Sequence, residues 1–174
     1  MNRSRYGWSP VEILATSGGL GYIPFAPGTW GSLPGIPLVW LFRKIEGSFT
    51  TNTELFWPVS FLIKAALLAV LCFLATAVIR RTEVLWGSHD DKSIVIDETI
   101  GQALVLVWFD LSLLTMILGF AFFRLYDIWK PGPIGWIDRS MKSPFGTLAD
   151  DLVAGVLGAL SLFAVGALSS WNLF

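Results

Sequence analysis

A chain of 174 residues that is 54% hydrophobic and only 14% charged, with a mean hydropathy of +0.65, is too apolar for an ordinary soluble domain and belongs in a membrane. Its net charge of −1 offers no basic surface to nucleic acid, and a single cysteine, Cys72, excludes an intrachain disulfide.

Near the N-terminus, Arg3 and Arg5 imitate the start of a secretory leader. Glu12 interrupts the apolar stretch that follows and no small-residue cleavage site closes it, so this segment is expected to be retained. Ile13 to Phe42 is uncharged but broken by glycines and prolines, which predicts a polar loop followed by a shorter helix. It is the least regular of about three expected spans. Leu55 to Ile79, interrupted only by Lys64, and Leu152 to Phe174, without charge, each exceed the roughly 20 apolar residues that cross a hydrocarbon core of about 30 Å. Lys64 is expected to face the bundle interior or a neighbouring acid. Cys72 lies in an apolar run and reads as a buried, inert thiol.

Between those spans runs an apolar stretch split by Asp110. Thr99 to Phe109 and Leu111 to Phe123 are each too short to cross alone. One reading is a single long helix with Asp110 pointing into the bundle. The other is a helical hairpin in which Asp110 and Ser112 supply the turn and the N-cap. A carboxylate at mid-membrane costs roughly 2.5 to 3.5 kcal/mol on the translocon scale, which favours the hairpin. The hairpin sets Asp97 and Glu98, at its start, beside Arg124, Asp127 and Lys130, at its end.

The 12 basic and 13 acidic residues are unevenly placed: eight lie in 80–98 and eight in 124–151. Arg80, Arg81, Arg124, Lys130, Arg139 and Lys142 put both polar segments on the cytoplasmic side, with Glu46 and Glu54 opposite. Arg43 and Lys44 do not fit this pattern and read as snorkelling side chains.

Asp97, Glu98, Asp127, Asp138, Asp150 and Asp151 form a set of six carboxylates interleaved with cations. Clustered carboxylates call for a hard divalent cation such as Mg²⁺, and Arg124, Lys130 and Arg139 suit a phosphate. Together they suggest phosphoryl chemistry on a lipid headgroup. Each element also has a purely structural reading. Thr147 to Asp150 spells a capping box. Asp97 and Glu98 suit a helix first turn, Arg124, Asp127 and Lys130 an ion-pair ladder, and His89 a loop. Singly those readings suffice; jointly, in a chain so poor in charge, a site explains more.

The stretches APGTWGSLPGIP (26–37), SIVIDETIGQ (93–102), FRLYDIWKPGPIGWIDR (123–139) and GTLADDLVAG (146–155) resemble the phosphatidylglycerophosphatase A family in order along nearly the whole chain. The resemblance implies one domain over 1–174, an all-α membrane bundle carrying a polar site on a short helical hairpin. It further implies a multi-pass protein of the bacterial inner membrane with its site on the cytoplasmic face. The activity it implies is Mg²⁺-dependent hydrolysis of phosphatidylglycerophosphate to phosphatidylglycerol and inorganic phosphate. Carried onto this sequence, the family's motifs imply Asp127, Lys130, Asp138 and Arg139 as catalytic. Thr29, Arg124, Lys130 and Arg139 would bind phosphate, and Asp97, Glu98, Asp127, Asp150 and Asp151 the metal. Thr147 and Leu148 stand where relatives more often carry a glycine-rich run with methionine.

Absences narrow the mechanism. A histidine nucleophile with a histidine acid needs two histidines, and only His89 exists. A cysteine phosphatase needs an arginine at the sixth position after Cys72, where Val78 stands, and an Asp-x-Asp-x-Thr loop is missing. Metal-assisted attack remains, with either water or an aspartate as first nucleophile. At Gly28 to Ser32, backbone amides and the Thr29 hydroxyl could hold phosphate, or Thr29 could simply cap a helix. The alternative from another class is a small ion or solute transporter that uses the same charges as its path.

Overall fold

The computed structural model describes residues 7–49, 56–89 and 91–169, and these are helical without strands. Arg3, Arg5, Glu54 and the final residues of the expected span ending at Phe174 lie outside them. The helices are α1 (Pro10–Ala15), α2 (Pro27–Ser32), α3 (Gly35–Phe49), α4 (Phe56–Trp86), α5 (Ile96–Leu106), α6 (Leu113–Trp129), α7 (Pro133–Ser140) and α8 (Pro144–Ser169). A single 3-10 turn, Leu20–Tyr22, lies between α1 and α2.

Among the described residues, two helices are long and apolar enough to cross a membrane, over Pro58–Trp86 and Pro144–Leu168. Their outward faces carry bare apolar side chains, among them Phe61, Leu62, Phe73 and Phe163, as a lipid-facing surface requires. The expected third span divides into α1, the 3-10 turn, α2 and α3. The 15 described residues of α3 fall short of the roughly 20 needed. Gly18, Gly19 and Pro34 lie in the turns between these pieces, while Pro27 opens α2 and Gly35 opens α3.

α8 begins eight residues before the expected Leu152, because Ser143 caps it and Pro144 opens it. The Ser143 hydroxyl accepts the Gly146 amide at 3.1 Å. Thr147 is therefore not a cap: it lies inside the helix, its hydroxyl directed at the Ser143 carbonyl. Asp150 and Asp151 sit in the second turn, inside the helix that the acids made look as if it started later.

The hairpin is observed. α5 runs in, the chain turns through Asp110, and Ser112 caps α6 by accepting the Thr115 amide at 3.1 Å. Both arms lie against α8, and Val105, Leu106, Phe123, Ala154 and Leu162 form the shared, fully buried core. Two glycines let α5 and α8 approach: a Cβ on Gly155 would stand 2.7 Å from the carbonyl oxygen of Gly101. Asp97 lies one turn before Gly101 and Asp151 one turn before Gly155, so the backbone contact brings the two acids together.

The ion pairs resolve the misfit charges. Arg43 bonds Asp110 at 2.8 Å and also donates to the Phe109 carbonyl. Lys44 lies over the Trp40 ring at 3.8 Å. Lys64 meets the buried Glu46 at 3.4 Å, as its position in an apolar span requires, and the Ser60 hydroxyl donates to the same carboxylate. Cys72 is free and half-buried rather than fully enclosed.

Candidate active site

The polar end of the bundle surrounds a cavity of about 710 Å³. Its wall is built by the starts of α2, α5 and α8, the end of α6, part of α7 and the loop before α5. Helix starts dominate, and their unpaired amides favour negative charge nearby.

Asp97 and Glu98 occupy the first turn of α5, but they are more than dipole partners. Asp97 is buried, and ligand oxygens of Asp97, Glu98 and Asp151 lie within 4.8 Å of one another. Asp97 Oδ1, Glu98 Oε2 and Asp150 Oδ1 are buried without a hydrogen-bond partner. Burial, then the adjacent Glu98, pushes the Asp97 carboxyl well above the usual range; burial likewise raises Glu98, with Asp127 adding to it. A close trio of carboxylates, two of which, Asp97 and Glu98, carry orphaned buried oxygens, fits a divalent cation, since hard oxygen donors and mutual repulsion are what such an ion needs and relieves.

Two cations are built into the wall. Arg124 pairs with Asp127 at 2.5 Å across one turn of α6 and donates to the Ser32 hydroxyl at 3.3 Å. Gly28 makes this possible: a Cβ there would lie 2.4 Å from Glu98 Oε1 and 3.3 Å from both terminal nitrogens of Arg124. Lys130 does not extend the ladder to Asp127. It caps α6 in the left-handed conformation (φ 47°), and Gly132 (φ 51°) and Pro133 then open α7, so the Lys-Pro-Gly-Pro run is a tight corner. The corner turns Lys130 Nζ onto Asp138 at 2.5 Å and Asp150 at 2.7 Å. Burial alone would lower the Lys130 pKa, but the hydrogen bonds it donates to Asp138 and Asp150 outweigh it and push the ammonium up, keeping it charged.

The cavity thus brings together Asp97, Glu98, Arg124, Asp127, Lys130, Asp138, Asp150 and Asp151. Of the five residues expected to hold metal, Asp97, Glu98 and Asp151 form the close trio, while Asp127 and Asp150 adjoin it, engaged by Arg124 and Lys130. Thr29 and Arg139 do not line it. Ala26, Pro27 and Gly28 are the residues of the α2 start that do, and Ala26, not Thr29, is the cap position. Arg139 is exposed, its guanidinium lying back along α7 near Gly135. His89, Asp91, Lys92 and Lys142 line the cavity without having been expected there. His89 bonds Glu83 at 2.6 Å. Only the concentration of charge in 80–98 and 124–151 pointed toward them.

The family profile described as Phosphatidylglycerophosphatase A matches residues 13–166. The chain belongs to the phosphatidylglycerophosphatase A family. A "Phosphatidylglycerophosphatase A" of Haemophilus influenzae is 36% identical over 159 residues, covering 90% of this chain and 89% of the relative. Its counterpart in Escherichia coli is 35% identical over 164 residues, covering 91% and 84%. No solved structure matches significantly. Membership of the phosphatidylglycerophosphatase A family agrees with the helical membrane fold, and the transport alternative finds no support in it.

Proposed function

We propose that the protein is a Mg²⁺-dependent phosphatase that hydrolyses phosphatidylglycerophosphate to phosphatidylglycerol and inorganic phosphate at the cytoplasmic face of a bacterial inner membrane. The activity rests on the family and on the names of the two relatives. The observation that carries the chemistry is the trio Asp97, Glu98 and Asp151, with orphaned buried oxygens on Asp97 and Glu98, set beside Lys130 and Arg124.

Asp97, Glu98 and Asp151 would hold the ion, with Asp150 and Asp127 adjoining. Bound Mg²⁺ supplies Lewis-acid charge to the phosphate oxygens. The rest is work for the chain's own side chains. Lys130, anchored by two carboxylates, presents a fixed positive charge to negative charge developing on the phosphate. Arg124, oriented by Asp127 and Ser32, does the same from the α6 side. Both are pre-positioned, so little reorganisation accompanies the reaction. Water is the final acceptor of the phosphoryl group, and the headgroup glycerol oxygen leaves with a proton.

The cytoplasmic orientation is supported by Arg80, Arg81, Arg124, Lys130, Arg139 and Lys142, all in segments at the cavity end. Two experiments test the reading. Purified protein given phosphatidylglycerophosphate should release phosphate with Mg²⁺ and stop in EDTA; equal release in both would refute metal dependence, and none in either would refute the activity. Single cysteines at Lys92 and Ser140, in a Cys72→Ala background, should react with an impermeant thiol reagent from the cytoplasmic side only.

A further inference from the structure

The rim of the cavity is two-sided. Among its described lining residues, the exposed polar ones are His89, Lys92 and Lys142, from the loops before α5 and α8, whereas the exposed apolar ones are Ala26, at the start of α2, and Ile128, in the last turn of α6. Ala26 and Ile128 share a side: Arg124, one turn before Ile128, reaches across to the Ser32 hydroxyl of α2 and lies against Gly28. One side of the rim therefore suits water and the other hydrocarbon.

Ile128, 70% exposed, is also the end of a stripe. Leu114, Ile117, Ala121, Leu125 and Ile128 recur at helical spacing on one face of α6, and all are exposed. The stripe is about 21 Å long at helical rise, enough to line the roughly 15 Å of hydrocarbon in one leaflet. No Asp, Glu, Lys or Arg occurs between Asp110 and Arg124, so its chemical match is an acyl chain. Because α6 returns from the turn at Asp110 to the polar end, Leu114 lies deep and Ile128 shallow. Glu98 and Arg124 both adjoin Gly28, which puts the carboxylate trio at the level of the shallow end. The outer faces of α4 and α8 are apolar too, but none of their exposed apolar residues lines the cavity. We propose that the cavity opens sideways to the bilayer between the start of α2 and the end of α6, and that the α6 stripe is the track for an acyl chain of phosphatidylglycerophosphate. This rests on the phosphatase reading above and adds how a membrane-held substrate reaches buried acids: the chain lies along α6 while the headgroup turns inward past Ile128, and this remote contact orients the monoester.

The test blocks the track halfway. Ala121→Trp fills it with apolar bulk, and phosphate release is followed in detergent micelles on dioleoyl and dihexanoyl phosphatidylglycerophosphate. A hexanoyl chain is too short to run from Ile128 to Ile117, about 16 Å deeper. Ala121→Trp should raise KM for the dioleoyl lipid about fivefold, leave kcat within about twofold, and leave the dihexanoyl KM within about twofold. Ala121→Ser, which keeps the track open, should match wild type. Ala77→Trp adds the same bulk to an exposed position on α4, outside the cavity, and should change neither KM. An unchanged dioleoyl KM in Ala121→Trp overturns the track alone, as does an equal rise for both lipids or an equal rise in Ala77→Trp. A second measurement needs no folded variant: the dioleoyl lipid carrying a photoreactive diazirine in one acyl chain, held with wild-type protein in EDTA, should label α6 above α4 and α8. Even labelling of the three helices overturns the track. So does a disulfide between two chains carrying Ala121→Cys in a Cys72→Ala background, which would assign the stripe to a second copy. Wild-type protein that hydrolyses neither lipid brings down the phosphatase reading, and the track with it.

Discussion

Arg43 on α3 and Asp110 in the α5–α6 turn are ion-paired at 2.8 Å, and the same guanidinium also donates to the Phe109 carbonyl. The two charges that fitted the topology worst are each other's partner. The clamp closes the hairpin turn remote from the cavity. Because the pair is partly exposed, Arg43→Ala should cost about 1 kcal/mol of stability in detergent, and Asp110→Asn less. Turnover should stay within about twofold in both. A loss in Asp110→Asn matching that of the cavity acids would contradict a purely structural turn.

Asp97→Asn and Asp151→Asn should each lower turnover at least about 100-fold while the protein still accumulates in the membrane, with added Mg²⁺ restoring part of the rate. Lys130→Ala should lower the rate and raise KM, and should also lower the melting temperature, since it strands Asp150 without its cation. Phosphate release and thermal melting on the same preparations separate the two effects.

Gly28→Ala places a methyl group where Glu98 Oε1 and the Arg124 guanidinium now sit. α2 or both side chains must shift, so turnover should fall about tenfold or more with little loss of expression. Wild-type kinetics in this variant would mean that Glu98 has a second, equally productive position.

The raised carboxyls of Asp97 and Glu98 make the metal-free protein pH-sensitive. A group whose folded pKa exceeds its unfolded value, about 3.9 for Asp and 4.3 for Glu, holds more protons folded than unfolded. Its contribution is fully present below the unfolded value and is lost as pH rises through the folded one. In EDTA the melting temperature should therefore fall as pH is raised above about 4, over the interval reaching up to the raised folded values. Mg²⁺ should flatten this dependence, and Asp97→Asn should shrink it. A melting curve in EDTA that climbs through that interval would show that these carboxyls are ionised at low pH in the fold.

Much of the site was legible because charge is so scarce: Asp97, Glu98, Asp127, Lys130 and Asp151 could not sit in an apolar chain by chance. The hairpin was legible too, since Asp110 and Ser112 are a poor helix centre but a good turn and cap. The start of α8 was not. Thr147 and Asp150 have capping-box spacing, and only the structure shows that Ser143 and Pro144 had already opened the helix. Arg139 was misplaced for a rotational reason. Asp138 faces Lys130, and the next residue on a helix points about 100° away. Lys92 and Lys142 come from loops that the packing of α5 and α8 brings to one cavity, of which the local concentration of charge was the only sign.

The contact between Gly101 and Gly155 joins two helices separated by α6, a corner and α7, so the carboxylate trio is completed by a helix that leaves the ribosome well after α5. Asp97 and Glu98 are therefore synthesised before Asp151. A nascent chain released before α8 inserts holds the hairpin but not the centre, and should be inert toward headgroup phosphates. Activity thereby reports completed insertion: chains arrested just before Pro144 should label as membrane-bound yet release no phosphate, and turnover should appear only once α8 has cleared the insertion machinery.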